Sequence, residues 1–359
     1  MFGKFKITTI LASLMILVLV ASFTIMQPEK EQFFLSDSDD LWAVYDKLGK
    51  IRFNAVNTSI VGVSVEKGRD IINKGYSTKQ DGTGKTAQQS PYFKCTACHN
   101  KEKEFDDLSN VSAQNRLNYA VKHDLPFLQG SSFYGLINRK TFYNDDYQKK
   151  YGHVPIIKAS NTDIRKAIQL CATQCAQGRA LSDWEIESII AYYSSIGLKI
   201  KDLNLKPAEK KEIETIINKG TDLHQAVHLL ESKYLATSPA HFANHKAYTP
   251  ITEAEKKDTE SFKNGQLVYE HSCLHCHEGK RYSFFALDNS KFSFINLLNR
   301  TKADKDGSIY KITRHGTWPL AGKKAYMPLY PMEKMSEDQL TDLKIYIENM
   351  AIGNNLAAQ

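Results

Sequence analysis

No methionine occurs in this 359-residue chain between Met26 and Met327. Any role that needs a thioether in that stretch must be filled by another side chain. No cysteine precedes Cys95, which excludes a lipid anchor on an N-terminal cysteine. Arginine-rich clusters and aromatic-basic motifs are also missing. The formal charge is +7, and Lys4, Lys6 and Lys30 against Glu29 account for +2 of it, so the body is only mildly basic. That balance argues against nucleic acid as a partner. The chain has no phosphate-binding glycine loop, no serine-histidine-acid arrangement and no HExxH, so it offers no footing for hydrolytic chemistry.

What the chain has is enough length for two domains and a 42% hydrophobic content typical of globular proteins. Two lysines precede an uncharged apolar run from position 7 to 26, long enough for a signal-peptide core or for one membrane-spanning helix. Residues 1–29 are therefore read as a signal peptide or membrane anchor. Either reading exports the remainder to the periplasm, soluble or tethered to the inner membrane.

The six cysteines fall into groups. Cys95-Thr-Ala-Cys98-His99 and Cys273-Leu-His-Cys276-His277 both read CxxCH, the pattern of covalent haem attachment. Two thiols three positions apart can add to the two vinyl groups of one haem, while the adjacent imidazole serves as proximal iron ligand. The expectation is two covalently bound haem c groups, on Cys95/Cys98 and Cys273/Cys276, with His99 and His277 on iron.

The surroundings of the second motif resemble a class I cytochrome c. Positions 262–271, with Gly265 inside, form a candidate opening helix, and glycine there lets another helix approach closely. Ser336-Glu-Asp-Gln339 is a capping box before a helix whose Leu340, Leu343, Ile347 and Met350 share one face. Between them, Tyr326-Met327-Pro328 lies 50 residues after His277 and resembles the ligand loop of that family. The resemblance implies that Met327 binds the other face of the iron, with Met332 and Met335 as neighbouring rivals.

The first half repeats this plan. Positions 66–75 with Gly68 form a candidate opening helix, and Ser182-Asp-Trp-Glu185 caps a helix bearing Ile186, Ile189, Ile190 and Tyr193. Insertions at 74–94 and 129–160 read as loops that shape access or docking. With no methionine available, the remaining iron ligands are His123, His153, Cys171, Cys175, a lysine or an open position. Ile168-Gln-Leu-Cys171, then Gly178-Arg179 and the closing helix, resemble the first domain of thiosulfate dehydrogenases and Sox-type haem subunits. That resemblance implies Cys171 as axial ligand and as the place where a small sulfur anion reacts. By charge, Arg165 and Arg179 are candidate anion holders, and as arginines near a helix start they also fit a plain surface role. A Cys171–Cys175 disulfide is the structural alternative.

Residues 201–250 read as a polar helical linker with Ile213, Ile216, Ile217 and Leu223 inward. Its His224/His228 and His241/His245 pairs lack acidic companions in the sequence and are read as solvent-facing or interface residues, and His271, His275 and His315 as structural or surface residues. The fold expected is all-α: two cytochrome c domains, 30–200 and 251–359, joined by the helical linker 201–250 and preceded by the N-terminal signal or anchor helix. The expected function is electron transfer between a redox protein donor and acceptor. Sulfur-compound oxidation at the first haem is the enzymatic alternative.

Overall fold

The computed structural model describes residues 32–303, 309–318, 324 and 326–358. The N-terminal segment read as signal or anchor lies outside them. Among the described residues there is no strand, only helices, turns and two isolated bridges. No helix among them is long and apolar enough to cross a membrane.

Each half is built around one crossing of two helices. In the first, the opening helix Val65–Lys74, capped by the Ser64 hydroxyl and ended by Gly75 in the left-handed region, packs on the closing helix Asp183–Ser195. Ser182 and Glu185 form the capping box. Ile186, Ile189, Ile190 and Tyr193 are buried. In the second half, Thr259–Val268 packs on Glu337–Ile352, whose Ser336/Gln339 box is also formed. Leu340, Leu343 and Ile347 are buried there, and Met350 is half-buried. The two crossings use the same device. A methyl group at Gly68 would overlap the Ser188 carbonyl oxygen, and one at Gly265 would overlap that of Asp342, so only glycine lets the backbones come this close.

Among the described residues two large hydrophobic cores follow, beside a small one of Val154, Ile157 and Leu170, and neither large core respects the sequence order. The first contains residues of both crossing helices and also Ile213, Ile216, Ala226, Leu230 and Tyr234. The helices Pro207–Lys219 and Leu223–Glu231, read from sequence as linker, are thus packed against the first core. Conversely, Leu117, Ala120 and Phe127 from the first half belong to the second core. The helix Ala113–Lys122 is a first-half segment seated on second-half side chains.

Candidate functional site

Cys95, Cys98 and His99 lie on and just after a tight 3-10 turn, Cys95–Ala97. They line a cavity of about 300 Å³. The His99 Nδ1 donates to the Ser131 carbonyl at 2.7 Å, and its ring stacks on Phe133 with centroids 4.7 Å apart. That bond commits Nδ1 and leaves Nε2 to face a metal. Gly130 makes the geometry possible: its amide donates to the Cys98 carbonyl at 2.9 Å, and a Cβ there would run into that carbonyl and the His99 ring. Burial lowers the pKa of His99 and keeps it a neutral imidazole, as an iron ligand must be.

The rest of the cavity comes from distant segments. The insertion 129–160 contributes Arg139, Tyr143, Tyr147, Tyr151 and His153 among others, so it is a wall of the site. Cys171 and Cys175 line the same space. They bracket a π-helical turn, Cys171–Cys175, which continues the helix Ile164–Leu170; π turns are frequent at functional sites. The Cys171 pKa is driven up by its hydrogen bond to Cys175 and by burial. Both cysteines are thiols in this structure. Of the histidine alternatives, His153 lines the cavity beside Trp318, whereas His123 stands outside it against Tyr119. Trp318, Tyr326, Pro328 and Leu329 of the second half close the cavity.

Arg165 and Arg179, candidate anion holders in the sequence, are each engaged by a carboxylate. Arg165 pairs with Glu187 at 2.5 Å, and Arg179 pairs with Glu185 at 2.5 Å. Neither lines the cavity. Gly178, by contrast, has a clear task, since a side chain there would meet the Gln89 backbone carbonyl.

In the second half the helix runs on from Val268 through a π turn, Tyr269–Cys273, into Leu274–His277, which carries the second CxxCH. His277 is 8% exposed. Its Nδ1 faces the Phe285 carbonyl at 3.4 Å, and burial lowers its pKa. Met327 sits on the loop before the closing helix. Its backbone is clipped to Thr317 by two hydrogen bonds of 2.7 and 2.8 Å, against Gly316 at φ +62. The fully buried Arg314 then ties the loop down, reaching Glu337 at 2.7 Å and the carbonyls of Tyr330 at 3.1 Å and Met335 at 2.6 Å. The rival Met335 is buried in the core.

The two motifs touch. The Cys276 sulfur lies 4.0 Å from the carbonyl oxygen of Ala97, inside the first motif, and the His275 ring bonds that same carbonyl. Burial, then Arg281, lowers the His275 pKa to about 4, so it stays neutral. The residues present at both motifs fit a covalently held haem: paired thiols, a buried neutral imidazole oriented through Nδ1, and, at the first, a largely aromatic and aliphatic cavity.

Residues 260–347 match the family described as Cytochrome C oxidase, cbb3-type, subunit III. This segment is a c-type cytochrome domain. With that domain come covalently bound haem c and a part in haem-based electron transfer. The domain spans the second CxxCH, the Met327 loop and most of the closing helix. No curated protein and no solved structure matches the chain.

The remaining histidines bond to backbone or to other side chains. His271 bonds the Leu125 carbonyl at 2.9 Å, His245 faces His315 at 3.0 Å, and His224 faces His228 at 3.0 Å on an exposed helix. His241 does have an acidic partner, Glu333, brought to it from 92 positions away. No group of three or more metal-ligating side chains among His, Cys, Asp and Glu forms among the described residues.

Proposed function

We propose that this chain is a dihaem electron-transfer cytochrome of the periplasm, passing single electrons from a redox protein donor to an acceptor through two haems that lie side by side. The observation that carries the reading is the contact between the two CxxCH motifs, through Ala97, His275 and Cys276. Haems attached through these cysteines would have their attachment points next to each other, because Cys276 lies 4.0 Å from the Ala97 carbonyl. Haem iron supplies the one-electron chemistry. The chain holds His99 through Ser131, excludes water with Phe133 and Tyr193, and on this reading supplies the Met327 thioether to the second iron.

A sulfur ligand on the first iron is favoured by one feature: Cys171 shares the His99 cavity. A Cys171 thiolate would lower the potential of a haem held by His99, and a Met327 thioether would raise that of a haem held by His277, which would favour electron flow from the first to the second. Oxidation of a small sulfur anion at Cys171 is the enzymatic form of this reading. Low-temperature electron paramagnetic resonance of the oxidised protein tests it. A thiolate-type low-spin signal lost in Cys171→Ala and kept in Cys175→Ala supports the ligand. A first-haem signal unchanged in both variants removes the cysteine and leaves a carrier.

A further inference from the structure

Cys175 has no part in electron transfer as proposed, yet several contacts fix its place. The turn Cys171–Cys175 is a π turn, closed by the Ala176 amide on the Cys171 carbonyl at 2.9 Å. The segment 74–94 braces that turn. The Gln89 side-chain amide donates to the Ala172 carbonyl at 2.9 Å, and the Ser90 hydroxyl donates to the Ala176 carbonyl. The Gly178 amide adds a bond to the Ala172 carbonyl at 3.0 Å.

On a regular helix, Cβ atoms four residues apart lie about 5–6 Å from each other, against the roughly 3.5–4.5 Å that a disulfide needs. A π turn takes more residues per circuit, so residues four apart stand closer along the axis. The outcome is two half-buried thiols in hydrogen-bond contact on one wall of the His99 cavity. Cys171 donates to the Cys175 sulfur, and so does the Tyr326 hydroxyl of the second half. Two donors thus converge on Cys175, which marks it as the attacking sulfur.

We propose that Cys171 and Cys175 are a reversible dithiol–disulfide couple, a redox-modification site whose co-reactant is a small organic disulfide, and that closing it withdraws Cys171 from the iron. The withdrawal rests on the Cys171 ligand reading; the couple does not. Cys175 attacks one sulfur of the external disulfide, a bond between those two sulfurs forms, the external S–S bond breaks and one thiolate leaves. Cys171 then attacks the Cys175 sulfur, closing the internal bond and expelling the second thiolate. The two cysteine protons end on the two departing thiols. The pair is oxidised by two electrons and the external disulfide is reduced by two.

The full-length holoprotein is equilibrated with cysteamine–cystamine mixtures from reducing to oxidising, quenched in acid, alkylated and digested with trypsin. Residues 167–179 form one tryptic peptide that contains both cysteines. Expected is a passage from a doubly alkylated peptide to one that takes no alkylating group and is two hydrogens lighter, reversed when the mixture is made reducing again. A peptide doubly alkylated in every mixture overturns the couple. So does one that ends with cysteamine on a single cysteine, the mark of an isolated thiol, or a disulfide that the native protein never reopens, the mark of a fixed cross-link. These masses are read on the unaltered chain and depend on no variant's folding. Paramagnetic resonance of the same samples judges the withdrawal. The thiolate-type signal of the reduced pair is expected to vanish as the disulfide closes, and to persist in Cys175→Ser under the same oxidising mixture. A signal that survives full closure in the wild type, or is lost equally from Cys175→Ser, overturns the withdrawal. No thiolate signal in the fully reduced sample removes the ligand reading and the withdrawal with it, while the peptide masses still decide the couple.

Discussion

At Gly130 a hydrogen atom stands where any other residue would place carbon against the His99 ring. On the dihaem reading, the substitution Gly130→Ala should therefore disturb the haem held by His99 alone. Expected are a changed low-spin signal or loss of one haem per chain, checked by haem stoichiometry and paramagnetic resonance, with the second haem's signal intact. The two CxxCH motifs were legible in sequence because each occupies five consecutive positions. Gly130, Ser131 and Arg139 were not, since they reach the site from more than thirty positions away and carry no local signature. The ion pairs of the arginines in the Cys171 neighbourhood were not legible for the same reason. Their carboxylate partners, Glu185 and Glu187, lie on the closing helix, and only folding brings Glu187 back to Arg165.

At the scale of elements, both helix crossings depend on glycine, and the capping boxes fix where each closing helix begins. Overpacking of this kind costs about 1–3 kcal/mol, so Gly68→Ala and Gly265→Ala should each destabilise the fold by that amount or more. Denaturant unfolding measures it. The loop bearing Met327 is held by Arg314, whose three anchors were invisible in sequence. If Met327 is the iron ligand proposed, Arg314→Leu should loosen the loop and weaken the thioether-to-iron absorption band while covalent haem attachment is kept. Opening and closing helices were readable because apolar periodicity and serine caps are local signals. The π turns at Cys171–Cys175 and Tyr269–Cys273 were not, because a single extra residue in a helical turn leaves the apolar pattern nearly unchanged.

For the molecule as a whole, the buried cluster of Glu104, Arg116 and Lys334 binds the halves together, since Lys334 belongs to the second half and also offers its carbonyl to Arg116 at 3.3 Å. Burial alone would raise the Glu104 carboxyl, but Arg116 and Lys334 together hold it well below the usual carboxylate range. A depressed carboxylate contributes stability above its unfolded value of about 4.3, and that contribution is lost as pH falls below it. Glu104→Gln should cost about 3–5 kcal/mol at neutral pH by stranding buried cations. It should also flatten the loss of stability between roughly pH 4 and 2, and thermal unfolding across that window checks both. The sequence pattern pointed to two haem-binding halves with a helical link. It could not show that the link is core, nor that Ala113–Lys122 crosses over, because long-range packing leaves no mark in spacing.

The wall that Trp318, Tyr326, Pro328 and Leu329 give to the first cavity has an evolutionary consequence. A chain whose second half lines the pocket of its first cannot be remade by exchanging halves between relatives. Substitutions among Tyr143, Tyr147 and Tyr151 must be answered by the loop around Tyr326, whose hydroxyl lies 3.4 Å from that of Tyr151. The two halves are bound to vary as one unit of inheritance, however separately their motifs read.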